Sequence, residues 1–173
     1  MLEVVTLGHP ALRRRAEPVA EVTPELRRLA DEMLAVMKQH EGVGLAATQV
    51  NRMVRLFVTR APDDRERVFI NPEIIRTGIE TEWREEGCLS IPGPRADVQR
   101  PAHLRVQARN RRGRLFALEV EGMLARVILH ELDHLNGILF IDHLSDAERE
   151  RVCREYAEGH AEASAGDADR DAG

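Results

Sequence analysis

The chain has 173 residues, 43% of them hydrophobic, with 25 basic and 30 acidic side chains and a formal net charge of −5. That length suits one domain with a sizeable core, and mixed, weakly acidic charge leaves no basic footprint for sequence-specific nucleic-acid binding. No apolar run approaches the roughly 18 residues of a membrane span, and no basic-then-apolar leader opens the chain, so a cytoplasmic protein without a membrane partner is expected.

In chain order, Thr23 and Pro24 open a helix as cap and first-turn proline, and Leu26, Leu29, Met33, Val36 and Met37 give it a buried stripe. Gly42 is expected to end it. The next segment, Gly42-Val43-Gly44-Leu45-Ala46-Ala47-Thr48-Gln49, sets two glycines around a valine, then small residues and a glutamine. Such a backbone bends sharply or passes close to something. β-type runs follow at 54–58, 68–70 and 74–83. Runs at 104–108 and 115–120 read as a hairpin tipped by Arg111-Arg112-Gly113. A helix is predicted over 123–136, a short strand over 138–141, and a last helix from Asp146 to about Glu158, capped by Ser145. The expected fold class is α+β: antiparallel or mixed sheets of short strands around one central helix, with an N-terminal and a C-terminal helix. Residues 159–173 carry almost nothing to bury and are expected to form a mobile acidic tail.

The central helix carries His130-Glu131-Leu132-Asp133-His134. Histidines four apart on a helix share a face and can share a cation, with Glu131 beside them as a base. Leu124, Val127, Ile128 and Leu132 repeat at helical spacing, so the helix is buried and its imidazoles need partners. An ion with an open position makes water nucleophilic near neutral pH, which points to attack on an amide-type carbonyl. Residues 1–145 therefore read as a catalytic metallohydrolase domain, with 146–173 appended.

Two histidines leave a catalytic site one ligand short. An HExxHxxGxxH site would need histidine at position 140, which is Phe140. Glu150, Glu155 or Glu158 could serve as in zinc endopeptidases. Cys88, in Glu86-Gly87-Cys88-Leu89-Ser90, offers a thiolate. Cys88 and Cys153 are the only cysteines, which argues for a reducing compartment and against a disulfide framework. Cys153 lies in a charged helical run and reads as packing.

Together the segments Gly42–Gln49, Glu86–Ser90 and His130–His134 resemble peptide deformylase, whose members carry GxGxAAxQ, EGCxS and HExDH in this order. Ile91-Pro92 and the run Leu135-Asn136-Gly137-Ile138-Leu139-Phe140-Ile141-Asp142 extend the likeness, which covers about residues 5–145. The resemblance implies hydrolysis of the N-formyl group from the initiator formyl-methionine of nascent polypeptides, releasing formate; the alternative is a zinc endopeptidase using a downstream glutamate. It implies Cys88, His130 and His134 as metal ligands and Glu131 as general base and acid. Gln49 and the backbone N–H of Leu89 would face the formyl oxygen, and Gly44 would bind substrate as an added strand. Val43, Met123 and Val127 are candidates for the methionine pocket, and Arg95 for the groove. The implied metal is Fe²⁺, one per chain, with Zn²⁺, Ni²⁺ or Co²⁺ as substitutes. Family members often have glutamine where this chain has Leu129, so a polar contact beside His130 is expected to be missing. Asp133 is expected to orient a ligand histidine or to pair with an arginine such as Arg100. Family members can dock on the ribosome through a basic C-terminal extension; here that segment is net acidic, so any transient ribosome contact is expected elsewhere.

Overall fold

A computed structural model describes residues 2–61, 63 and 65–170. Its helices are α1 (Pro24–Gln39), α2 (Gly122–Leu135) and α3 (Asp146–Arg170), and its strands are β1 (Gly44–Ala46), β2 (Leu56–Thr59), β3 (Arg67–Thr77), β4 (Thr81–Cys88), β5 (Ile91–Pro101), β6 (His103–Arg109) and β7 (Leu115–Glu121). Five strands form one antiparallel sheet in the order β1-β2-β3-β6-β7, and β4 and β5 form a second, two-stranded sheet. Helix α2 touches β1, β2, β6 and β7 of the first and β5 of the second, so it is the central element both sheets share. The α+β reading holds.

Strand β2 shows why two helices can flank one sheet. Side chains alternate across a strand; Phe57 joins Phe69, Leu104 and Val106 against Leu124, Ala125 and Ile128 of α2, while Leu56 and Val58 join Met33 and Met37 of α1 on the other side. A third cluster sets Ile91, Ala96 and Val98 of β5 against Phe140, Ile141 and Val152 of α3.

Several boundaries differ from the sequence expectation. Thr23 caps α1 through its hydroxyl as expected, but the left-handed residue after the helix is Glu41 (φ 53°), not Gly42. Gly42 is instead closely packed: a Cβ there would come within 2.9 Å of Leu89 Cδ1 and 3.3 Å of the Met37 carbonyl, so the leucine would have to shift. The predicted strand over 74–83 is broken between Thr77 and Thr81, because its halves belong to different sheets. Strand β5 escaped the sequence reading because Pro92, Gly93, Pro94 and Pro101 mask its alternation; it pairs only with β4, and a strand with one partner tolerates prolines. The predicted strand over 138–141 is instead a 3₁₀ turn, Phe140–His143. Asp142 closes it by accepting from the Leu139 N–H at 2.9 Å, a local bond that outcompetes extension. Ser145 caps α3 as expected, and that helix runs past Glu158 to Arg170; residues 171–173 lie outside the described residues.

Candidate metal centre

One turn of α2 separates His130 from His134, so both rings project toward the smaller sheet, where β4 ends at Cys88. Ligand atoms of Cys88, His130 and His134 all lie within 4.8 Å of one another, and Cys88 Sγ is 3.2 Å from His134 Nε2. Both histidines are buried and the thiol is partly exposed. Burial opposes charge on His130, yet hydrogen bonding to Cys88 and Glu86 outweighs it and holds this imidazole's pKa well above its ordinary value. Burial and the adjacent His130 push His134 well below. One ring is thus held toward the charged form and the other toward the neutral form, within reach of one sulfur. Three such donors can hold a divalent cation, and a thiolate-imidazole set suits iron, zinc, cobalt or nickel. The set fits a metal.

Glu86 stands behind the site, and sequence reasoning passed over it. Its Oε2 lies 3.0 Å from His130 Nδ1, while Oε1 accepts from Arg100 Nε at 2.9 Å and Arg126 Nη1 at 2.8 Å. Burial alone would raise its pKa, but the bonds from His130 and Arg100 hold the carboxyl well below the usual range. The signal was present: residues two apart on a strand share a face, and Glu86 is two before Cys88. Asp133 does pair with Arg100, at 2.6 Å, and with His143 Nε2 at 2.7 Å; the acid on a ligand ring is Glu86 instead. Arg126, four residues before His130, reaches the Glu82 and Val98 carbonyls at 2.8 Å each, tying α2 to both strands of the small sheet. Leu129 packs into the cluster beneath the large sheet, which explains an apolar residue there.

Glu131 is 3% exposed, and its Oε2, like His134 Nδ1, has no hydrogen-bond partner among the described residues. Burial foremost, opposed by His130 and helped by the charges of Glu86 and Asp133, pushes its carboxyl up to about 7. A Cβ on Gly44 would stand 2.3 Å from Glu131 Oε1, so only glycine lets β1 pass so close. Glu131 lines a groove of about 820 Å³ together with Val43, Gly44, Leu89, Arg95, Met123 and Val127, and with Gln49, Cys88 and His130. His134 lies behind this surface. Gln49 is locked by its own bonds: Oε1 accepts from the Ala46 N–H at 2.8 Å, and Nε2 donates to Ser90 Oγ at 3.2 Å and approaches Cys88 Sγ at 3.5 Å. Glu150, Glu155 and Glu158 are exposed on α3, and Glu155 is engaged by Arg151. None of the three joins the cluster.

The family model described as polypeptide deformylase matches residues 1–150. A peptide deformylase of Mesorhizobium japonicum is 44% identical over 157 residues, covering 88% of this chain and 89% of the relative. One from Cellvibrio japonicus is 44% identical over 162 residues, covering 92% and 96%. The crystal structure of a peptide deformylase from Legionella pneumophila superposes with a TM-score of 0.90 at 34% identity, covering 95% of this chain and 98% of that one.

Proposed function

The chain belongs to the peptide deformylase family, metallohydrolases that remove the formyl group from nascent peptides, and we propose that Cys88, His130 and His134 hold its metal while Glu131 moves the proton. The observation that carries this assignment is the buried, unpartnered Glu131 carboxylate beside a sulfur and two ring nitrogens converging from distant segments. The ion, when bound, supplies Lewis acidity that brings water ionisation toward neutral pH and polarises a carbonyl. The physiological ion is Fe²⁺, the metal the family resemblance implies and one that the thiolate and imidazole donors suit, with Zn²⁺ expected after aerobic purification.

Glu131 takes a proton from the attacking water at its free Oε2 and returns it to the departing amine nitrogen as the formyl C–N bond breaks; formate and a free amino terminus result. Burial raises the proton affinity of this carboxyl in the metal-free protein, a direction that suits its taking a proton from water. Gln49 Nε2 and the Leu89 N–H donate to the oxygen on which charge develops; the bonds to Ala46 and Ser90 hold the Gln49 amide in place, and the Nε2 hydrogen now directed at Cys88 Sγ is the one that turns to the substrate. Glu86 accepts from His130 Nδ1 and so keeps Nε2 free for the ion.

The substrate peptide adds as a strand along β1, an edge of the large sheet with Gly44 on the groove. Val43 and Met123, apolar yet 47% and 41% exposed, take the methionine side chain with buried Val127, and Arg95 stands at the rim. Two cysteines outside any disulfide support work in the reducing cytoplasm, where nascent chains emerge. Any transient ribosome contact uses a surface other than the acidic C-terminal segment.

The test is formate release from a formyl-methionyl peptide, measured anaerobically with Fe²⁺ restored. Cys88→Ala is expected to lose metal and activity together. Glu131→Gln should keep the metal and lose about 10²–10⁴ in rate. A Cys88→Ala protein retaining both metal and hydrolysis would return the reading to an endopeptidase with another ligand.

A further inference from the structure

Opposite α2, the groove wall is the bulged start of β5. Between the pairs Cys88↔Ile91 and Glu86↔Ala96, β4 has only Gly87 while β5 has Pro92, Gly93, Pro94 and Arg95, which bow out of the ladder. Gly93 turns at φ 104°, and its two flanking prolines have no N–H to donate, so the bow contributes few bonds of its own. Arg95 closes it. Its Nε donates to Glu85 at 2.6 Å, and its guanidinium covers Gly87, where an added Cβ would meet Nη1 at 2.8 Å. Its carbonyl accepts from Nη2 of Arg151, on α3, at 3.0 Å. Arg151 is aimed by two carboxylates: Glu148 takes Nε and Nη2, and Glu155 takes Nη1. Next to it, Val152 is fully buried in the cluster with Ile91, Ala96 and Val98, which seats the helix beneath the bow.

We propose that Arg151 is a positioning residue for substrate recognition: by holding the Arg95 carbonyl it keeps the Pro92–Arg95 bow, and with it the Arg95 side chain, at the rim where residues beyond the formyl-methionine pass. The inference rests on reading this groove as the formyl-peptide site. Exposed ion pairs such as Arg151 with Glu148 add little to folding stability, so the effect falls on recognition. A guanidinium already oriented by two carboxylates loses little freedom in making the carbonyl bond.

Kinetics of the full chain with formyl-Met-Ala-Ser and with formyl-methionine amide provide the test. Arg151→Ala should raise KM for the tripeptide about five- to tenfold, leaving kcat, and KM for the amide, unchanged; Arg151→Lys should recover part of the loss. Arg95→Ala should raise the same KM, and the double variant should be no worse than Arg95→Ala alone. Amide exchange over residues 95–98 should quicken in Arg151→Ala, a readout independent of turnover. Equal shifts with both substrates, additivity in the double variant, or unchanged KM would each overturn the proposal. If wild-type protein released formate from neither substrate, the functional reading would fail, and unchanged exchange would then overturn this one by itself.

Discussion

Gly44→Ala tests how tightly the backbone of β1 is built against the base. The added methyl would sit 2.3 Å from Glu131 Oε1, 2.9 Å from its Cδ and 2.8 Å from Val127 Cγ1, against an ordinary contact of 3.4 Å or more. Both side chains must therefore give way, Glu131 by about 1 Å, and Val127 is buried on α2 with little room to move. Misplacing a reacting group by about 1 Å can lower the rate about 10²-fold. Overpacking adds about 1–3 kcal/mol of destabilisation, which lowers Tm by about 2–4 °C per kcal/mol in a chain of this size. The assay is kcat for formate release from a formyl-methionyl tripeptide, with metal content and Tm measured on the same sample. A kcat within threefold of wild type in a folded, metal-loaded variant would refute the claim that this glycine exists to admit the carboxylate.

Glu86→Gln should weaken metal binding about 10–100-fold by competition with a chelator. Because the Glu86 carboxyl titrates lower in the folded protein than in the unfolded chain, its stabilisation is present above its ordinary value of 4.5 and lost as pH falls below that. Denaturation midpoints between pH 7 and 3 should therefore fall less steeply in the glutamine variant. Glu131 has the opposite sign: its folded value, about 7, is raised, so in metal-free protein its contribution is fully present below 4.5 and lost as pH rises through 7. Metal-free Glu131→Gln should thus gain on wild type by about 3 kcal/mol between pH 4 and pH 8; parallel profiles would contradict the burial argument. Away from the site, Asn71 holds φ 49° and clasps both backbone groups of Val19 at 2.8 and 2.7 Å. Asn71→Ala should cost about 2 kcal/mol in urea unfolding while leaving kcat unchanged.

Much of this molecule was legible along the chain because the signals were local. Helical repeats and a capped start located α1, the apolar repeat around His130 and His134 located α2, and two apolar runs on either side of Arg111-Arg112-Gly113 located the β6–β7 hairpin. Motif order supplied the family resemblance and pointed to Cys88. Periodicity fails where neighbours override it. β5 was hidden by its prolines, and 138–141 had the apolar content of a strand but closed into a turn on Asp142.

What only the tertiary structure decided is which distant groups meet. Motif order named Cys88 with the two histidines only through the family resemblance, and nothing in the order of residues states that Glu86 rather than Asp133 holds His130. The same applies to Gly44 making room for Glu131 and to α3 reaching the rim through Arg151. A sequence encodes short-range geometry through bonded spacing, so a helix face or a strand parity can be counted residue by residue. Contacts between segments tens of residues apart depend on how two sheets close on one helix, and that outcome belongs to the packing of the whole core.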